Sequence, residues 1–243
     1  MDIMNNVKPK IVVTFTKAFN ENQKEIDEIN ANEAFIDIIE YRADLIEGDV
    51  TTYINDIKAL KAQFPNIKIM FTYRTQGEGG KGNNDTKPYF DLCMKMIDSK
   101  LIDILDIELM IYADLMDQLL KHSRENGVEI LLSHHDVLFT PRIKDMMAIY
   151  DKMRKLGADY CKLAVMPLDG RDVVNLLSAV YETKQKCDLN IVGIAMGELG
   201  KITRLAGGVF GSYLTYAHLG TQAAPGQLHV TDLKTHLELF NIK

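Results

Sequence analysis

A lysine, two histidines and a set of carboxylates and arginines are spaced along this chain so that each falls in or at the end of a short apolar run. The lysine is Lys162, within Asp159-Tyr160-Cys161-Lys162-Leu163-Ala164-Val165-Met166-Pro167, bounded by Gly157 and Pro167 as a buried strand would be. An ammonium in such a place loses hydration unless it is paired or gives up its proton. A neutral amine at a strand end attacks carbonyls, the first step of Schiff-base chemistry. The plainer reading of Lys162 alone is a side chain that snorkels into solvent. Other ionisable residues recur at equivalent points. Glu40 and Arg42 close one run, where alternation aims both to the same side. Arg74 closes the next, with Glu78 in the glycine-rich loop of Gly77, Gly79 and Gly80. Asp106 and Glu108 lie in a fourth run, and Ser133-His134-His135-Asp136 ends a fifth. Arg204 follows the seventh, and Ala224-Pro225-Gly226-Gln227 the eighth. Singly these read as a rim ion pair, a core histidine beside a solvated one, or a turn. A metal centre is not expected. His134 and His135 are adjacent and on a strand point to opposite faces, and no His-x-x-x-His or Glu-x-x-His spacing occurs.

The elements that must position these residues show as an alternation. Short β-branched or apolar runs centre near Val12, Ile38, Met70, Leu105, Leu131, Leu163, Val192 and Leu214, and most intervals carry helical periodicity. Tyr53, Ile57, Leu60 and Phe64 share one helical face before Pro65. Met146, Tyr150 and Met153 share another up to Gly157, the expected glycine past the helix end. Asp172 is the expected cap of a helix with Val173, Leu177 and Val180 inward, and Thr231 of a last helix with Leu233, Leu237 and Phe240 inward. A short seventh helix is expected over residues 198–205. Eight strand–helix units point to a parallel α/β fold. No Gly-x-Gly-x-x-Gly follows the first run and no phosphate-binding Gly-x-x-x-x-Gly-Lys-Ser/Thr occurs, which removes support for nucleotide-binding doubly wound sheets. The expectation is a (β/α)8 TIM barrel over residues 1–243 as a single catalytic domain, with its chemistry at the C-terminal strand ends.

Bulk properties agree with this. The chain has 243 residues, ordinary for one α/β barrel, and 28 basic against 34 acidic residues leave a net charge of −6. Without a Lys/Arg-rich block, neither nucleic acid nor an anionic membrane is an expected partner. Cys93, Cys161 and Cys187 are an odd number with no Cys-x-x-Cys pair, and read as thiols of a reducing cytosol. Residues 1–9 lack the apolar core of a signal peptide and no stretch is long enough to span a bilayer, so a soluble cytoplasmic protein is expected.

Taken together, the motifs resemble the type I 3-dehydroquinate dehydratases of the shikimate pathway. The resemblance is carried by Glu40-Tyr41-Arg42, by Phe71-Thr72-Tyr73-Arg74 with Glu78-Gly79-Gly80, and by Asp106-Ile107-Glu108. It continues in Ser133-His134-His135-Asp136 with Thr140-Pro141, in Lys162 to Pro167, in Thr203-Arg204-Leu205-Ala206-Gly207 and in Ala224-Pro225-Gly226-Gln227. It implies a (β/α)8 barrel, usually a homodimer, with neither metal nor organic cofactor, acting on 3-dehydroquinate in aromatic amino acid biosynthesis. It also implies roles. Lys162 forms the imine, His135 is the acid–base and Glu78 orients it. Arg204 holds the substrate carboxylate, Glu40, Arg42 and Arg74 meet ring hydroxyls and set the field at Lys162, and segment 223–227, with Ala223 and Gln227, closes as a lid. His134 is expected to pack toward the helix layer.

Some positions depart from the family pattern. Ala223 stands where the lid usually carries a serine, Val137 where an aromatic is common, Ala195 where a serine precedes Met196, and Tyr216 where Phe is frequent. None removes a group the chemistry needs. Two other readings share features with this chain. A class I aldolase-like barrel would keep the lysine but needs phosphate-binding glycine loops near strands seven and eight. A non-catalytic ligand-binding barrel would not need the set of Lys162, His135 and Glu78.

Overall fold

The computed structural model describes residues 8–109 and 113–239. Eight parallel strands alternate with helices: β1 (Lys10–Phe15), α1 (Gln23–Asn32), β2 (Ile38–Arg42), α2 (Val50–Gln63), β3 (Lys68–Thr72), α3 (Thr86–Asp98), β4 (Ile104–Glu108), α4 (Ala113–Glu125), β5 (Glu129–Asp136), α5 (Ile143–Lys155), β6 (Tyr160–Val165), α6 (Gly170–Lys186), β7 (Asn190–Ala195), α7 (Gly197–Ala206) and β8 (Leu214–His218). A two-residue strand, β9 (Leu228–His229), and α8 (Val230–Leu239) complete it. The sheet order β7-β6-β5-β4-β3-β2-β1-β8-β9 curls until its ends meet. There the Tyr213 amide donates to Ile191 O at 2.7 Å and the Gly193 amide to Ser212 Oγ at 3.2 Å. This is a (β/α)8 barrel, as the alternation predicts. The short β9 beside β8 was not foreseen.

Both strand faces are buried, which is why the strands read as near-continuous apolar runs. Outward residues pack against the helix ring. Tyr41 stacks between Phe15 and Phe71, with centroids 6.2 Å away on each side, and its hydroxyl donates to Asp56 Oδ2 at 2.8 Å. Each such buried side chain gains roughly 1.5–3 kcal/mol on leaving water. Tyr53, Ile57 and Leu60 on α2, and Met146, Tyr150 and Met153 on α5, face this layer as their spacing predicts. Gly157 ends α5 with φ +78°, and the Ala158 amide returns to Met153 O at 3.3 Å, a closure that needs the left-handed conformation.

Two caps differ from expectation. Asp169, not Asp172, caps α6, accepting from the amides of Arg171 and Asp172. Asp172 lies in the first turn and accepts from the Leu168 amide at 2.8 Å. Both aspartates suit the position, and the helix begins a turn before the first apolar residue of its inner face. At the chain's end α8 already includes Val230, so Thr231 is inside its first turn, with Leu233 and Leu237 buried. Phe240 lies outside the described residues. The seventh helix spans Gly197–Ala206, one residue beyond the expected range at each end. No helix among the described residues is long and apolar enough to cross a membrane.

Candidate active site

Within the barrel, inward side chains form tiers. The floor takes one apolar residue per strand: Val12, Ile38, Met70, Ile104, Leu131, Tyr160, Val192 and Leu214, all buried. Two residues further along, β1 to β6 present Thr14, Glu40, Thr72, Asp106, Ser133 and Lys162, while β7 and β8 present Ile194 and Tyr216. The change of tier follows from period-2 alternation, so polar groups collect at the C-terminal mouth. The mouth holds a cavity of about 240 Å³ lined by all nine sequence-predicted site residues: Glu40, Arg42, Arg74, Glu78, His135, Lys162, Arg204, Ala223 and Gln227. Its wall is charged on one side and apolar on the other, through Met166, Ile194, Met196 and Tyr216.

Lys162 is 5% exposed. Its Nζ lies 3.9 Å from Glu40 Oε1, 3.8 Å from Asp106 Oδ2 and 4.3 Å above the centre of the Tyr216 ring. Burial pushes its ammonium below the usual lysine range, and the two carboxylates offset that only in part. The amine therefore loses its proton more readily than a surface lysine. Glu40 is held by Thr14 Oγ1 and Thr72 Oγ1, each donating at 3.2 Å, and Asp106 by Ser133 Oγ at 2.5 Å. Asp106 is the second carboxylate that raises Lys162, after Glu40; the sequence places it in the fourth run but gives it no role.

Glu78 arrives from the glycine-rich turn after β3. Its Oε2 lies 2.8 Å from His135 Nδ1, and its Oε1 3.3 Å from His134 Nδ1. A carboxylate only accepts, so Nδ1 of His135 carries the proton and Nε2 keeps a free lone pair. Burial, aided by the charges of Arg74 and Lys162, holds the His135 imidazolium down at about 3, outweighing the Glu78 hydrogen bond. His135 is thus a neutral imidazole near pH 7, able to accept a proton. Glu78 is disfavoured as an anion by burial, yet its histidine partners and Arg74 bring it down to about 2.

His134 does not pack into the helix layer as expected. It does lie on the other side of β5 from His135, but near the mouth it turns onto the outer oxygen of Glu78, its side chain 22% exposed. The two rings therefore meet one carboxylate from different sides, a meeting that alternation along a single strand does not reveal.

The three arginines differ in their partners. Arg42 is paired not with Glu40 but with Asp44, through Nε and NH2 at 2.8 Å each. Arg74 donates to Asp106 at 2.5 Å, Glu108 at 3.1 Å, Glu78 at 3.3 Å and Ser133 at 2.9 Å, so it neutralises the polar wall. Arg204, 2% exposed, has no carboxylate within ion-pair distance among the described residues. Burial lowers it to about 10. It donates instead to lid carbonyls, Gly226 O at 3.0 Å and Pro225 O at 3.4 Å. Gln227 Oε1 accepts from the amides of Ala223 and Ala224, and its Nε2 donates to Thr14 Oγ1 at 3.1 Å. Segment 223–227 therefore lines the same cavity as Lys162, with Ala223 contributing main chain only to these bonds. No cluster of three His, Cys, Asp or Glu side chains among the described residues is placed to hold a metal ion.

Such a site offers a desolvated amine, a neutral base pinned by a carboxylate, and a buried cation with no ion-pair partner among the described residues. A carbonyl compound bearing a carboxylate complements all three.

The family model of the type I 3-dehydroquinases matches residues 12–243. A 3-dehydroquinate dehydratase of Staphylococcus saprophyticus is 36% identical over 237 residues, covering 95% of this chain and 98% of its own. That of Staphylococcus epidermidis is 38% identical over 218 residues, covering 88% and 91%. The crystal structure of the type I 3-dehydroquinate dehydratase of Clostridium difficile with covalently modified comenic acid superposes with a TM-score of 0.88 at 31% identity, covering 96% of this chain and 92% of that one.

Proposed function

Because the chain belongs to the type I 3-dehydroquinase family, we propose that it eliminates water from 3-dehydroquinate to give 3-dehydroshikimate through an imine on Lys162. The observation that carries the reading is the buried, destabilised ammonium of Lys162 in one cavity with a neutral His135. A proton α to a ketone is too weakly acidic for an imidazole unaided, so the ketone must first become a better electron sink.

Lys162 Nζ adds to the C3 ketone, and loss of water gives a protonated imine. His135 Nε2 then removes a proton from C2, and the electron pair moves to the imine nitrogen as an enamine forms. Glu78 holds the resulting imidazolium through Nδ1–H. The enamine expels the C1 hydroxyl, which takes the proton from His135 and departs as water. Hydrolysis of the conjugated imine releases the enone and restores the amine. Arg204 clamps the C1 carboxylate, Arg42 and Glu40 meet ring hydroxyls, and Arg74 keeps the carboxylate wall in place. The lid, through Ala223 and Gln227, excludes water. On this reading the chain acts as one catalytic barrel, a homodimer in the cytoplasm, on a free small molecule of the shikimate pathway without metal or organic cofactor. An aldolase-like role is disfavoured because the region near strands seven and eight offers Arg204 and the Pro225-Gly226-Gln227 turn, which suit a carboxylate and hydroxyls.

Two measurements test this. The enone should appear by its ultraviolet absorbance when the chain meets 3-dehydroquinate. Borohydride added with substrate should fix one ligand mass on the Lys162 peptide, and Lys162→Ala should abolish it. Labelling of another lysine in that variant sinks the assignment.

A further inference from the structure

Glu78 and His135 form a wall between two cavities. One is the mouth cavity containing Lys162. The other, about 330 Å³, is lined by Thr75, Asn84, Tyr89, Glu108 and His134 together with the outer side of Glu78 and His135. The lid closes only the first, because its bonds run to Arg204, Thr14 and Gly197. His134 lines the second cavity but not the first, touches Glu78 and has the more exposed ring of the two histidines. It takes Oε1, leaving Oε2 to His135.

We propose that His134 is a positioning residue for the acid–base pair. It fixes the outer oxygen of Glu78 and carries a charge, exchangeable with solvent through the second cavity, that sets how strongly Glu78 draws on His135. The proposal rests on the reading of His135 as the acid–base.

The two histidines act on one shared carboxylate. A protonated His134 puts a cation on Oε1, neutralises part of Glu78 and weakens its hold on the proton of His135 Nδ1, making Nε2 a poorer base. When His134 loses that proton, Glu78 is offset by Arg74 alone, more of its charge acts on His135 and the base strengthens. The groups facing His134 are Glu78, Asp136 of its own strand, Lys152 of α5, Glu108 of β4 and Tyr89 of α3. The hydrogen bond with Glu78 is the largest influence and, helped by Asp136, moves His134 above the usual histidine value against burial and Lys152. Its change of charge thus falls above the usual histidine range, where His135 is already neutral.

The test pairs imidazole NMR of the ligand-free protein with a kcat–pH profile. Expected in the unmodified chain is a His135 ring signal that shifts as His134 titrates, and a shallow rise of kcat over the same pH range. His134→Asn keeps an N–H donor for Oε1 but cannot titrate, so both the shift and the step should vanish. His134→Leu loses the donor too, and kcat should fall by roughly ten-fold, the effect of one hydrogen bond to a charged group, while imine trapping persists. Asparagine should restore most of that loss. A His135 signal blind to His134 titration overturns the proposal whether or not the chain eliminates water. So does a step that survives in His134→Asn, an unchanged kcat in His134→Leu, or loss of trapping in both variants, which makes His134 a folding residue. Absence of turnover in the unmodified chain, with the NMR coupling intact, overturns only the reading of the reaction.

Discussion

Arg204 Nε donates to the main-chain carbonyl of Gly226 at 3.0 Å, so the buried guanidinium that has no ion-pair partner among the described residues is tied to the segment after β8. On the proposed reading, one contact thus links closure of the site to its anion position. The guanidinium stays free of acidic side chains, and an incoming carboxylate meets a charge that burial has left poorly solvated. Arg74, by contrast, spends its donors on Asp106, Glu78 and Glu108.

From this difference, Arg204→Ala should raise KM by roughly two orders of magnitude, as loss of a charge-assisted bidentate contact does, with little change in the denaturation midpoint. Steady-state kinetics and urea titration check it. Unchanged KM and kcat would move the anion position to Arg42.

Arg74→Ala should behave in the opposite way. It removes the guanidinium that three buried carboxylates share, and removing one partner of a buried ionic cluster costs about 3–5 kcal/mol. The urea midpoint should drop sharply, and a midpoint equal to that of the unmodified chain would show that the carboxylates are neutral.

Gly226 has φ +79°, and a Cβ there would stand 2.3 Å from Gly197 O. Gly226→Ala should therefore hold the lid open, raising KM and slowing imine trapping while leaving the barrel's stability nearly unchanged. Trapping at the normal rate would mean that closure is not needed for imine formation.

Most of the barrel was legible because it follows from local periodicity. The eight runs are buried on both faces, and helices such as α2 and α5 repeat apolar residues at helical spacing, so each element carries its own signature. The nine predicted residues converge because a barrel brings all strand ends to one mouth. What the sequence did not give away are partnerships made across the barrel. Asp44, in the turn after β2, takes Arg42 from Glu40, and nothing in Glu40-Tyr41-Arg42 says which carboxylate wins. His134 meets Glu78 across 56 positions of chain, so the alternation that separated it from His135 was right about direction but silent about the partner.

Acid should unfold this chain through its site. His135 titrates at about 3 in the fold against an ordinary value of 6.5, so between those values the unfolded chain binds a proton that the fold does not. Stability from this source is present above pH 6.5 and is lost as pH falls toward 3. Glu78, at about 2 instead of 4.5, adds stability that is present above 4.5 and is lost as pH falls toward 2. His134 is raised, so its contribution is present below 6.5 and fades as pH rises, outside the acid window. Urea midpoints should decline from pH 6.5 to 4, and His135→Gln should flatten that decline by up to about 1.4 kcal/mol per pH unit. An identical slope in the variant would mean that His135 protonates freely in the fold.

The adjacent histidines give the sharpest division of labour. His135 shares the cavity of Lys162 and is neutral at working pH, whereas His134 reaches that cavity only through Glu78. His135→Ala should cut kcat by about two to four orders of magnitude, the range of a general acid–base, and still form an imine that borohydride traps, because Lys162 is untouched. Trapping should in fact accumulate, since the step after imine formation is the one disabled. His134→Ala should keep catalysis far above that level, losing only the hold on one oxygen of Glu78. Should His134→Ala be the dead variant while His135→Ala turns over, the side of β5 that faces the substrate would be the wrong one, and with it the assignment of Glu78 as orienter of the base.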